Sequence, residues 1–170
     1  RAVIDERIDI DLYLGAELFF QFGLESLVER TFGTYRGMGK YCLLETPMSQ
    51  YPPQFEQTVQ ELASEKITPV VAHPERIGPL IGDVKRVAIL ARAGACIQVS
   101  AGSLLGQFGK QVQAFAWELL DQGIVHVLAS DAHDVDHRTF NLHTASEAVA
   151  ERYDEDTAEA LTYGNPLRVL

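Results

Sequence analysis

Short runs of β-branched and apolar residues alternate with longer stretches of helical periodicity, and that alternation limits the fold more than any other property of the chain. The strand-like runs are 8–17 (IDIDLYLGAE), 41–45 (YCLLE), 69–73 (PVVAH), 95–101 (ACIQVSA) and 124–131 (IVHVLASD). Helical spacing covers 24–31, 53–66, 83–93, 105–122, 138–153 and a short stretch at 155–163. Pro52 and Pro53 suit a helix start, and Gly94 and Gly123 stand where left-handed C-caps are expected. An order βαβαβαβαβα implies parallel strands joined by right-handed crossovers. That leaves a barrel or an open doubly wound sheet. The 170 residues suffice for one domain, 1–170, with a core that needs no disulfide.

The strand ends favour the barrel. Four of the five runs finish on a titratable side chain: Glu17, Glu45, His73 and Asp131. Parallel barrels collect their chemistry at the carboxyl ends of several strands. By alternation, Tyr41 and Leu43 share a face with Glu45, Val71 shares one with His73, and Val125, Val127 and Ala129 share one with Asp131. Three carboxylates and an imidazole at one mouth are costly to bury without a cation. Oxygen and imidazole donors together suit a hard or borderline divalent metal.

Two loop arginines point to the substrate. Arg76 follows His73 in AHPER (72–76), and Arg138 follows the SDAH segment (130–133), whose Asp131 and His133 lie two apart. In a chain of net charge −10, two guanidinium forks beside a metal-type cluster form a plausible phosphoryl trap. The same negative charge disfavours nucleic acid. Plainer roles suit the other candidates. His126 reads as packed, His143 as solvated on a helix, and His137 as a loop residue. Gln98 and Ser100 read as interior donors, Trp117 as core, and Asp9 and Asp11 as a solvated strand entry.

Rival phosphate chemistries fail on spacing. A cysteine phosphatase needs arginine six positions after the thiol, but Met48 and Gly102 stand there after Cys42 and Cys96. A P-loop needs glycine where Thr34 stands and Ser or Thr where Tyr41 stands. No G-x-S-x-G occurs. Two isolated cysteines give no disulfide framework and fit a reducing compartment, so a cytoplasmic location is expected. No apolar run approaches the ~18 residues of a membrane span.

The strings GAEL (15–18), LLE (43–45), AHPER (72–76), SAGSLLGQFG (100–109) and SDAH (130–133), with Arg138, resemble the PHP-type, manganese-dependent protein-tyrosine phosphatases of bacterial capsule and exopolysaccharide loci. The resemblance implies a distorted (β/α)7 TIM-like barrel with Mn2+ ions at its mouth. It makes Glu17 a bridging carboxylate, Glu45 and His73 ligands of a second metal, Asp131 a ligand of the first, and His133 a ligand in the rest of the cluster. It makes Arg76 and Arg138 the phosphate-gripping pair and gives His133 a part in protonating the leaving phenolate. The implied partner is a phosphotyrosine protein, a tyrosine autokinase of a polysaccharide locus. Alternatives are another PHP phosphoesterase, such as one acting on histidinol phosphate, or an inactive metal- or phosphopeptide-binding relative. One departure stands out: the family opens on a His-x-His strand, and no histidine precedes His73. With Arg1 in place of a methionine, this leads to the expectation that the first βα portion is absent, leaving part of the metal complement and little activity.

Overall fold

The computed structural model describes residues 9–21, 24–29 and 32–169. Its strands form one wholly parallel sheet: β1 (Glu17–Phe19), β2 (Tyr41–Glu45), β3 (Thr68–Ala72), β4 (Cys96–Ser100) and β5 (Val127–Ala129), each beside the next in sequence. The helices are α1 (Leu24–Val28), α2 (Phe55–Ser64), α3 (Val84–Arg92), α4 (Ala101–Leu104), α5 (Lys110–Asp121), α6 (Leu142–Arg152), α7 (Glu155–Glu159) and α8 (Asn165–Val169). The fold is therefore mixed α/β about a parallel sheet. Among the described residues the sheet has five strands in linear order, where the implied barrel has seven.

Strand alternation divides the sheet into two faces with different fates. Leu18, Cys42, Leu44, Val71, Ile97, Val99 and Leu128 lie on one face and enter the core with Phe55, Val59 and Leu62 of α2, Val87 and Leu90 of α3, and Phe115 and Leu119 of α5. Each large aliphatic side chain buried there contributes about 1.5–3 kcal/mol. The opposite face carries Glu17, Leu43, Glu45, Val70, Gln98 and Val127, brought level by the registers Glu17↔Leu43, Leu43↔Val70 and Gln98↔Val127. Glu17 is exposed and Leu43 and Glu45 half-buried, so this face can hold polar side chains.

Several expected boundaries move, each for a physical reason. The strand expected at 8–17 begins only at Glu17, which opens β1 and does not close a strand; residue 8 lies outside the described residues. Extending the register Glu17↔Leu43 backwards brings residue 15 level with Tyr41, where β2 begins. Among the described residues upstream, 9–16 join no ladder, and Ile10, Leu12 and Leu14 are exposed despite their alternating pattern. The helix expected at 105–122 breaks because Gly106 and Gly109 take φ of 81° and 93°, backbone that helical residues do not adopt. The helix expected from 138 starts at Leu142, since Asp134 Oδ1 has drawn in the backbone N–H groups of Asp136, His137 and Arg138. The stretch at 155–163 resolves into α7, a π-turn at Ala160–Gly164 and α8. Gly94 and Gly123 hold the left-handed φ expected of C-caps, 103° and 65°.

Candidate metal and phosphate site

Glu17, Glu45 and His73 come together, each offering one ligand atom, all within 4.8 Å of one another. His73 Nε2 lies 3.3 Å from Glu17 Oε1 and 3.4 Å from Glu45 Oε1. Strand alternation alone would not have produced this contact. Val71 pairs with Leu44 on the helix-covered face, so a continued strand would aim His73 into the core. His73 instead adopts φ 33° and ψ 55°, and this left-handed kink turns its imidazole to the carboxylate face. The expected common face of Val71 and His73 is thus corrected. A left-handed histidine is strained and persists only where surrounding structure enforces it.

The donor set fits a divalent cation. Ligand atoms about 2.1 Å from a metal in tetrahedral to octahedral shells stand roughly 3.0–3.4 Å apart. The two contacts to His73 Nε2 fall in that range. Two carboxylate oxygens facing an imidazole nitrogen call for positive charge between them, a proton on Nε2 or a metal ion. Burial and the neighbouring Glu17 charge raise the Glu45 carboxyl above the ordinary carboxylate range, while His73 and Arg76 pull it down and Asp131 raises it. Glu45 therefore senses both the imidazole cluster and the arginine cluster beyond it.

Asp131 organises that second cluster. Its Oδ2 accepts from Arg76 Nη1 at 2.8 Å, from Ser100 Oγ at 3.4 Å, and from Arg138 Nη2. Arg138 also reaches His133 Nε2 with Nη1 at 3.0 Å, while His133 Nδ1 lies 2.9 Å from the Asp131 carbonyl. Asp131 too is left-handed, at φ 50°. Asp131 and His133 do not join the Glu17–Glu45–His73 triad. The five expected metal ligands divide into a compact three and a two bound to arginines.

The remaining candidates occupy plainer positions. His126 Nδ1 accepts from the Ile97 N–H at 3.1 Å, and burial lowers its imidazole pKa. His137 and His143 are exposed beside Asp134 and Glu147. Trp117 packs against the core, with Arg152 over its ring. Asp9 and Asp11 are exposed. Burial pushes the Cys42 thiol up to about 12 and also raises Cys96, so neither is a nucleophilic thiolate.

Three contacts escaped the sequence. Glu75 is fully buried, its carboxyl raised by burial, and its Oε1 accepts from the Ser100 N–H at 3.1 Å and from Ser103 Oγ at 2.6 Å. Phe108 lies under the Arg76 guanidinium, 4.2 Å from CZ to ring centroid. Nothing in AHPER marks its glutamate as buried. The string SAGSLLGQFG, which supplies Ser100, Ser103 and Phe108, was the available signal.

The crystal structures of YwqE from Bacillus subtilis and CpsB from Streptococcus pneumoniae, "unique metal-dependent tyrosine phosphatases", include a chain that superposes with a TM-score of 0.85 at 31% identity, over 92% of this chain and 64% of that one. Tyrosine-protein phosphatase YwqE of Bacillus subtilis is 35% identical over 72% of this chain and 48% of its own length. Putative tyrosine-protein phosphatase CapC of Staphylococcus aureus is 28% identical over 81% of this chain and 54% of its own. Tyrosine-protein phosphatase CpsB of Streptococcus pneumoniae is 30% identical over 95% of this chain and 69% of its own. The chain thus spans about half the length of the first two of these curated relatives. The profile described as "Capsular polysaccharide synthesis, CpsB/CapC" matches residues 1–170, and the chain belongs to that family.

Proposed function

We propose that this chain carries a metal-dependent phosphotyrosine-protein phosphatase site acting in capsular or exopolysaccharide synthesis. The observation that carries the reading is the placement of a three-donor triad beside two arginines gathered on one aspartate. Family membership and relatives named as tyrosine-protein phosphatases point the same way. We assign Mn2+ to the triad on the family resemblance; two carboxylates and an imidazole suit a hard or borderline divalent cation. When bound, such a cation supplies Lewis acidity that makes water a competent nucleophile near neutral pH. Glu17, Glu45 and His73 would hold it. Arg76 and Arg138 would turn their forks from Asp131 to the non-bridging phosphate oxygens and stabilise charge shifting there in the transition state. His133, held between Asp131 and Arg138, would stand beside the leaving phenolate as proton donor.

The five parallel strands and their half-exposed carboxylate face support reading the sheet as the greater part of a PHP-type (β/α)7 barrel. The two unpaired cysteines support a reducing cytoplasm; no helix among the described residues is long and apolar enough to cross a membrane. A tyrosine autokinase of a polysaccharide locus is the protein substrate that the family resemblance suggests.

The test measures Mn2+ content and phosphate release from a phosphotyrosyl peptide in one preparation of the chain. Mn2+-dependent release, however slow, that disappears in His73→Ala and Arg76→Ala supports the reading. Release that persists in His73→Ala overturns it. Bound Mn2+ and bound peptide without release would make the chain a binding module.

A further inference from the structure

Glu75 stands between the two residues that the site requires from one turn, His73 and Arg76. That turn, Pro74–Arg76, is a single 3-10 turn closed by Arg76 N–H to His73 O at 3.0 Å and Ile77 N–H to Pro74 O at 3.2 Å. Such short turns have poor hydrogen-bond geometry and cannot alone hold a histidine at φ 33°. An external tie is present. Glu75 Oε1 takes the Ser100 N–H at the end of β4 and the Ser103 hydroxyl in α4, both fully inside the protein. The same stretch returns twice to the site. Ser100 Oγ donates to Asp131, and the Phe108 ring lies beneath Arg76. Residues 100–108 thus meet the 3-10 turn from below through Glu75 and from the side through Phe108.

We propose that Glu75 is a positioning residue. As a buried acceptor tied to Ser100 and Ser103, it fixes the 73–76 turn so that Arg76 meets Asp131 and His73 meets Glu17 and Glu45. Its carboxylate touches no substrate and acts through its two neighbours. For anion binding, this rests on the reading of Arg76 as a phosphate clamp; for the placement of Arg76 it does not.

The variants Glu75→Gln and Glu75→Met separate the acceptor from the volume it fills. Gln keeps a carbonyl oxygen for both donors, whereas Met fills the space and accepts from neither. Two quantities are read on the full chain. One is the guanidinium 1H–15N resonance of Arg76, assigned by its loss in Arg76→Lys. The other is the dissociation constant of inorganic phosphate with Mn2+ present. Glu75→Gln should keep the Arg76 resonance distinct. Glu75→Met should merge it with those of exposed arginines and weaken phosphate binding roughly 10–100-fold, the scale on which losing a supporting partner acts. Ser103→Ala removes one of the two donors and should move both readouts part of the way, which serves if Glu75→Met does not fold. Wild-type behaviour of Glu75→Met or of Ser103→Ala overturns the proposal, as does an equal loss in Glu75→Gln and Glu75→Met. If Arg76→Lys binds phosphate as the wild type does, the clamp reading fails, and the resonance still decides the positioning.

Discussion

Each triad side chain supplies one ligand atom, so single truncations have definite outcomes. Glu45→Ala or His73→Ala should weaken Mn2+ binding by at least the roughly 10–100-fold that loss of a mere supporting partner costs. Their circular dichroism should match the wild type. Wild-type Mn2+ affinity in either variant, read by calorimetry, would remove the triad from the metal reading. Arg76 offers a second test. It donates to Asp131 and lies over Phe108, a planar arrangement that an ammonium cannot copy. Arg76→Lys should therefore lose nearly as much phosphate affinity as Arg76→Ala, and full retention in Arg76→Lys would reduce the residue to a point charge. Glu45 and His73 stand out in the sequence because charge at the end of an apolar run is conspicuous in one dimension, whereas Glu17 opens its strand. Two things were not legible. The left-handed dihedral of His73 redirects its side chain against strand parity, and no residue type at that position announces that. Glu75 looks like any solvated loop carboxylate until its two serine partners, 25 and 28 residues away, are placed beside it.

At the level of elements, caps and registers decide where order begins and ends. Asp83 Oδ1 accepts from the Arg86 N–H at 3.1 Å and starts α3, whose Val87 and Leu90 enter the core. Asp83→Ala should cost about 1 kcal/mol, with Asp83→Asn nearly neutral. Chemical denaturation measures both, and an Asp83→Ala protein as stable as the wild type would mean that the cap is idle. β2, β3 and β4 were readable because β-branched and apolar runs bounded by turn residues have few alternatives. β1 was misread because alternation in IDIDLYL requires no partner strand, whereas a strand does. The long helix was misread because periodicity over 105–122 is indifferent to two glycines whose backbone has left the helical region. Hydrophobic pattern reports the face an element shows, while hydrogen-bond partners and φ decide how far it extends.

For the whole molecule, the parallel order of strands followed from the alternation of elements, but pattern along a chain does not fix how many strands a sheet contains. Acidity of the chain, net charge −10, acts through two opposed sets of carboxyls. Asp121 is held below its ordinary range chiefly by the Arg152 hydrogen bond, Asp134 by the His137 N–H and its neighbours, and Asp154 by the Thr157 N–H. Such groups stabilise the fold above their unfolded pKa, near 4, and that contribution is lost as pH falls through their lower folded values. Glu45 and Glu75 run the other way. Burial raises both, with Glu17 adding to Glu45. Their contribution is complete below the unfolded carboxylate pKa and is lost as pH rises through the higher folded values. With chelator present, these two should lower the melting temperature as pH rises out of the acid range. Mn2+ changes the sign of that trend at the triad, because it needs Glu45 ionised and so competes with the proton there. The rise in melting temperature on adding Mn2+ should therefore grow as pH rises and the raised Glu45 carboxyl gives up its proton. Glu75 binds no metal, so its part of the decline should remain at every Mn2+ concentration. Thermal melts across pH, with chelator and with Mn2+, check this in wild type and His73→Ala. A gain that does not vary with pH, or one that survives in His73→Ala, would place the Mn2+ effect on the acidic surface and not in the Glu17–Glu45–His73 site.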